Sequence, residues 1–374
     1  MQDSDALPSE SLSPDAISDP TAPIAAGDMR EVARGVYVIA NPVPFKPGFQ
    51  NSYLLADEAE TAAPAGPKEP VWTLIDPGFA RTAEHIDRRI KAFFEGSPDA
   101  KRRVARVIAT HHHPDHIGGA PFFMEQDGAT FLTTRTAWFY ARMLQLDSSL
   151  EPKEEQIRVL LRAGYDEAML QRWRDGRKHS FADITLPLPL GYQRLQQGEA
   201  IEIGGREWRV LIGHGHAPEH MLLHFPGDEN ENGLLLAGDQ VLPKISPNIS
   251  VYPIEPEADP LGDWLESCAE LAKRFKEAPK TLVLPGHGDP FFDPAHRLER
   301  IIVKHEAALD RLAAWLEEPR TVIDCFEAIF RRAVADGHES LAVGETLAHL
   351  NHLRAQGRVE RRMRPDGVHE YQKL

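Results

Sequence analysis

Cysteine is scarce in this chain: 374 residues hold two, Cys268 and Cys325, far apart and in no Cys-x-x-Cys pair. That excludes a disulfide framework and a thiolate metal site, and it fits a reducing cytoplasm. No run approaches the ~18 apolar residues of a membrane span. The first 28 residues contain no Lys or Arg, which first appear at Arg30. With no basic n-region and no apolar h-region they do not read as a secretory signal. Rich in Ser, Pro, Ala and acids, they read as a disordered or loosely packed tail. Excess positive charge is also missing, since 42 Lys and Arg face 57 Asp and Glu for a net charge of -15. Broad electrostatic attraction to nucleic acid or to an anionic membrane is therefore not expected.

What the chain has is an alternation of strand and helix patterns. "GVYVIANPV" (35–43), "NSYLLAD" (51–57) and "PVWTLIDPG" (70–78) read as strands, with a hairpin loop between the last two. "TAEHIDRRIKAFFEG" (82–96) has helical spacing and closes on Gly96, and "RVARVIAT" (103–110) is a strand that runs into a polar loop. Residues 134–178 become helical and amphipathic, predicting an insertion that packs on the core and caps a pocket. A hairpin over 199–213, strands at "HMLLHF", "GLLLAGD" and "KTLVLPGHG", and a helix at "PLGDWLESCAELAKRF" complete a unit ending near residue 304. Residues 305–374 read separately. A helix over 321–332 with Thr321 and Asp324 in a capping-box arrangement, a helix over 343–357 and a hairpin around Pro365-Asp366-Gly367 make a winged-helix pattern.

The densest chemistry is "HHHPDH" at 111–116, in a chain of 17 histidines. A chance His-x-His-x-Asp-His match in such a chain has odds of roughly one in five hundred. Three further segments sit where strands give way to loops: "GHGHAPEH" (213–220), "LLAGDQ" with Asp239, and "LPGHGDP" with His287. Side chains at such ends can converge on one edge of a sheet.

In these motifs the sequence resembles the metallo-β-lactamase superfamily. Thr110 to Gly119 is similar to its signature loop, and "IDPG" around Asp76 to the strand end that buttresses that loop. Gly215-His216-Ala217-Pro218-Glu219-His220 is similar to the family's Gly-His-x-x-x-His segment, with Glu219 where glycine is usual. The resemblance covers 29–300 and implies an α/β fold, a four-layer αββα sandwich over 29–304, carrying the helical insertion and a small C-terminal winged-helix domain. It implies two divalent ions. His111, His113 and His216 would hold the first, Asp115, His116 and His287 the second, and Asp239 would bridge them. The ligands are imidazole and carboxylate, which suits zinc and admits iron or manganese.

The implied chemistry is hydrolysis by a bridging hydroxide, with Asp115 orienting the water and passing a proton to the leaving group. His220 is expected either to touch substrate or to support the site from behind; His112 and His214 are expected to face outward or to lend support. The substrate read first is a small acyl compound, a thioester, ester or lactone. Trp138, Tyr140, Met143, Ile245 and Ile249, from the insertion and the loop 242–253, are expected to form an apolar pocket mouth. The alternative is an endoribonuclease or phosphodiesterase using the basic run Arg354, Arg358, Arg361, Arg362 and Arg364. Against it, residues 319–374 carry eight acids to nine bases, so the tail's apolar stripes suit packing or a homodimer better. β-Lactamase activity and a non-catalytic binding module rank lower.

Overall fold

The computed structural model describes residues 19–59, 68–278, 280–331, 334 and 339–374. The loop expected between the second and third strands, and most of the acidic tail, lie outside the described residues. Residues 19–28 are docked: Ile24 is buried between the sheets, and its N–H donates to Asp289 Oδ1 at 2.9 Å.

Two sheets face each other. The first holds β1 (Met29–Ala33), β2 (Val36–Pro42), β3 (Phe49–Ala59), β4 (Glu69–Ile75), β5 (Val104–Ile108), β6 (Thr130–Thr133) and β7 (Gln193–Arg194) in sequential order. The second holds β8 (Ala200–Ile203), β9 (Arg206–Gly213), β10 (His220–Phe225), β11 (Gly233–Gly238), β12 (Thr281–Pro285) and β13 (Phe291–Phe292), again in sequential order. Successive strand residues point to opposite faces, so each strand feeds two cores. Tyr53 and Leu55 join Val36, Trp208, Met221 and Leu236 between the sheets. Leu54 instead joins Trp72, Leu74 and Val107 on the outer face, under α1 (Ala80–Phe93).

Helices cover both outer faces, which completes the expected αββα layering. After α1 come the single turn α2 (Pro114–Ile117), then α3 (Ala120–Asp127), which shares its layer. The insertion is helical as expected: α4 (Arg135–Leu146), α5 (Glu154–Ala163), α6 (Glu167–Gly176) and the short α7 (Phe181–Ile184). Over the second sheet lie α8 (Pro260–Lys276) and α9 (Pro294–Trp315). Cys268 and Cys325 are buried and unpaired, in agreement with the composition. No helix among the described residues is long and apolar enough to cross a membrane.

The C-terminal unit departs from expectation in two places. The expected boundary at 304/305 falls inside α9, which runs unbroken through it. The helix expected over 321–332 is a 3₁₀ turn at Ile323–Cys325 followed by α10 (Phe326–Phe330), which ends at Arg331 with φ 56°. The Asp324 carboxylate accepts from the Thr321 N–H at 3.0 Å and hydroxyl at 2.7 Å, so the starting cap is present while the helix is shorter. Then come α11 (Glu339–Ala355) and the antiparallel pair β14 (Val359–Met363) and β15 (His369–Lys373).

Leu347, Leu350 and Leu353 of α11 are buried in one cluster with Trp264 of α8, Leu298 and Leu309 of α9, Leu160 of α5 and Val283 of β12. The insertion, the second sheet and the C-terminal unit therefore share a core. Leu350→Ala should lower the unfolding free energy by about 2–5 kcal/mol, read by chemical denaturation as a single transition. Two separable transitions, with only the weaker one shifted, would contradict a shared core.

Candidate metal centre

Parallel pairing aligns strand ends. β4 pairs parallel with β5, and β11 with β12, so all four strands deliver their C-terminal ends to one edge of the sandwich. The loop 109–113 leaves β5, the loop 214–219 leaves β9, Asp239 follows β11 and His287 follows β12. These segments, with Asp115 and His116 on the single turn α2, bring together all seven side chains implied as metal ligands. Three groups have ligand atoms within 4.8 Å of one another: His111, His113 and His216; His111, His116 and Asp239; Asp115, His116 and His287.

Each ring is held by one nitrogen and presents the other. Asp76 leaves β4 with φ 51°, and its carboxylate accepts from the Thr110 N–H (2.7 Å), the Thr110 hydroxyl (2.9 Å) and His116 Nδ1 (2.8 Å). With its proton given to Asp76, Thr110 Oγ1 accepts from His111 Nδ1 at 2.9 Å. His216 Nδ1 donates to the Asn248 carbonyl and His287 Nδ1 to the Phe49 carbonyl, both at 2.8 Å. His113 differs. Its Nε2 meets the Tyr252 hydroxyl at 3.2 Å, and its Nδ1 faces inward, 2.9 Å from His111 Nε2. Such outer partners fix the tautomer and orientation of metal-ligating rings.

Three of the inward atoms have no such satisfaction. His116 Nε2, His216 Nε2 and Asp239 Oδ1 are buried without a hydrogen-bond partner. His287 Nε2 lies 3.3 Å from Asp115 Oδ2 and 3.5 Å from Asp239 Oδ2. His116 Nε2 lies 3.5 Å from Asp239 Oδ1, and His216 Nε2 3.6 Å from Asp239 Oδ2. Buried lone pairs left this way are costly. Ligands at about 2.1 Å from a tetrahedral zinc stand about 3.4 Å from one another, so the spacing fits cations placed among them. Charge states divide the rings. Against burial, Asp239 and the other carboxylates hold His116 well above and His287 above the usual imidazole range, so a cation would have to displace a proton there. His111 and Asp239 already suit one. Burial, then the neighbouring His116 ring, hold His111 well below the usual imidazole range, leaving it neutral as a ligand must be. Burial opposes charge on Asp239 as well, but His287 and His116 hold its carboxyl well below the usual carboxylate range. Close packing leaves no slack: a Cβ on Gly286 would lie 2.2 Å from Asp239 Oδ1.

His220 lies behind the centre, not in contact with its open side. Fully buried at the start of β10, it stacks on His111 at 4.6 Å, and its Nε2 accepts from the Asp239 N–H at 3.1 Å. Of its two expected places, this burial at the first residue of an interior strand favours support from behind over contact with substrate. His112 is buried, its ring 5.0 Å from Tyr140 and 5.9 Å from Tyr252, whereas His214 is exposed. Glu219 adopts φ 48°, a conformation glycine takes readily, and its carboxylate accepts from the Thr136 N–H at 2.8 Å. This departure from the family pattern ties the metal loop to the first turn of α4.

The expected pocket mouth is only partly assembled. Tyr140 stands beside His112 and Tyr252, and Ile245 is exposed. Ile249 is buried in the core shared with α11, and Trp138 stacks on Tyr192 with its indole N–H on the Pro189 carbonyl. Phe45, which the sequence did not single out, places its ring 6.2 Å from His287. Sequence reasoning also missed Tyr252, Asn248 and Phe49. Two of these act through main-chain carbonyls, which carry no side-chain signature.

Comparison with known proteins agrees with the geometry. Residues 46–287 match the metallo-beta-lactamase superfamily and residues 309–374 a metallo-beta-lactamase-like C-terminal domain. A crystal structure of a beta-lactamase domain protein from Burkholderia ambifaria is 34% identical with a TM-score of 0.80, covering 96% of this chain and 97% of that one. A metallo-beta-lactamase family protein from Thermus thermophilus is 28% identical with a TM-score of 0.71, covering 92% and 100%. A "probable metallo-hydrolase" of Bacillus subtilis (strain 168) is 26% identical over 328 residues, 86% of this chain and 92% of that relative. A hydroxyacylglutathione hydrolase of Pseudomonas paraeruginosa is 33% identical over only 87 residues, 23% of this chain and 28% of that relative. The chain belongs to the metallo-beta-lactamase superfamily and carries that superfamily's C-terminal domain.

Proposed function

We propose that the protein is a dinuclear, zinc-type metallo-hydrolase of small acyl compounds, thioesters first. The observation that carries this reading is the set of inward groups: five imidazole nitrogens and two carboxylates, all but His113 on buried residues, with spacing that suits ligands around two cations. His111 Nε2, His113 Nδ1 and His216 Nε2 would hold one ion and Asp115, His116 and His287 the other, with Asp239 between. Two ions held there supply Lewis acidity and a water of near-neutral pKa.

The chain's own groups do the rest. The Asp115 carboxylate, next to His287 Nε2, takes a proton from the attacking water and returns it to the departing sulfur or oxygen. Thioester and water thus become acid and thiol. Phe45 by His287 and Tyr140 by His112 offer apolar surface to the acyl group on either side of the centre. The thioester preference draws support from the hydroxyacylglutathione hydrolase similarity, since that relative's named substrate is an acylated thiol peptide.

The phosphodiesterase alternative loses its main support. Arg354 and Arg361 pair with Glu257 at 3.0 and 2.7 Å, Arg358 with Asp310 and Arg364 with Asp366, and Arg362 pairs with Glu360. Such exposed pairs add little stability, but they neutralise the basic run that phosphates would need.

Asp115→Asn should cut kcat by about 100-fold or more while the protein remains folded, because its proton transfer operates only in the transition state. Steady-state kinetics with unaltered circular dichroism checks this, and near-normal turnover would remove Asp115 from the mechanism. Across a panel of acyl thioesters, lactones and phosphodiesters, kcat/KM should be highest for the thioesters. It should also rise with acyl length as each buried CH₂ contributes ~0.8 kcal/mol. A preference for phosphodiesters would overturn the acyl assignment.

A further inference from the structure

Apart from His111, which Thr110 and Asp76 hold, the two trios of ligands are held by different parts of the chain. His116 and His287, in the second trio, lean on Asp76 at the end of β4 and on the Phe49 carbonyl of β3, both within the first sheet. His113 and His216, in the first trio, lean on Tyr252 and the Asn248 carbonyl, both in one segment after β11. That segment is extended and alternates. Pro247, Ile249 and Val251 are buried, while Asn248, Ser250 and Tyr252 are only partly so. Extended backbone sends successive side chains to opposite faces. Ile249 and Val251 therefore sink into the core shared with Val343, Leu347 and Leu350 of α11, while the Tyr252 side chain and the Asn248 main-chain carbonyl serve the metal ligands.

α11 grips this segment by three independent contacts. The Val251 N–H donates to the Gly344 carbonyl at 3.1 Å. Asn248 Nδ2 donates to Glu345 Oε2 at 2.9 Å, while Asn248 Oδ1 accepts from the Ser250 hydroxyl, which fixes the amide's orientation. Gly344 lets Ser250 close in: a Cβ there would lie 2.7 Å from Ser250 Oγ and 3.0 Å from Ser250 Cβ. A carboxylate is expensive at this place, since burial pushes the Glu345 carboxyl up to about 7 against the Asn248 bond and Lys304, which favour its charge.

We propose that α11 of the C-terminal domain is a positioning element for one metal site only, the one formed by His111, His113 and His216, acting through the Glu345–Asn248 bond and the Gly344–Ser250 contact. The inference rests on the dinuclear reading and goes beyond it. It gives the C-terminal domain a role at the centre without any residue of its own among the ligands. Glu345 and Gly344 touch neither ion nor substrate. They set where the Asn248 carbonyl and the Tyr252 hydroxyl stand, and those set two rings.

Cobalt(II) titration of the full-length protein, followed by visible absorption and chelator competition, tests this without any substrate. Wild type should bind two ions. Glu345→Ala should weaken one of them about 10–100-fold, the usual loss when a ligand's outer partner is disturbed, and leave the other at wild-type affinity. Glu345→Gln, which keeps an acceptor for Asn248, should restore the weakened ion. Gly344→Ala, which retains the carboxylate but displaces Ser250, should reproduce the selective loss, and it carries the test if Glu345→Ala does not fold. Two ions bound at wild-type affinity in both Glu345→Ala and Gly344→Ala, or both ions weakened in parallel, would overturn this inference while leaving the dinuclear reading intact. Fewer than two ions in wild type would overturn both.

Discussion

The structure depends on one arrangement: imidazole and carboxylate groups gathered face to face, three of their inward atoms buried without a hydrogen-bond partner. His116 Nε2, His216 Nε2 and Asp239 Oδ1 have no partner inside the protein, and a buried polar atom in that state costs of the order of 1–3 kcal/mol. Folding tolerates the cost because every ring's other nitrogen is satisfied, by Thr110, Tyr252, Asn248, Asp76 or Phe49. The outward bonds prevent the rings from turning away, and the inward side is left as a candidate cation site.

Holding seven groups this closely needs support from every layer. The parallel pairs β4/β5 and β11/β12 bring the strand ends to one edge. Asp76, in a left-handed conformation, fastens both the loop after β5 and the His116 ring. His220 fills the space behind His111 and fixes the Asp239 backbone. The insertion joins through Glu219 on the first turn of α4, and the C-terminal domain joins through α11 on the segment 247–252. No layer is ornamental to the centre.

Much of this is legible in the sequence. The expected strands are strands, because their apolar alternation and their Gly and Pro boundaries agree with the sheets they enter. The segments that carry the candidate ligands are visible because metal chemistry demands His and Asp side chains, and these lie at strand ends. The rest is hidden for physical reasons. Carbonyl partners such as Phe49 and Asn248 are main chain, so any residue type could occupy them. The continuity of α9 through residue 304, by contrast, follows a helical period, Leu298, Ile301, His305, Leu309 and Leu312, that crosses the expected boundary and packs against α8 and α11. Ile249 suggests a pocket mouth because it is large and apolar. The alternation of "PNISVY", read as a strand period, turns it inward and brings Asn248 and Tyr252 to the site instead.

The most direct measurement is anomalous X-ray diffraction from zinc-loaded crystals at the zinc absorption edge. The account predicts two peaks, one enclosed by His111 Nε2, His113 Nδ1 and His216 Nε2, the other by Asp115, His116 and His287, with the Asp239 carboxylate between them. A single peak, or ions bound elsewhere with the seven side chains still turned toward one another, would contradict it.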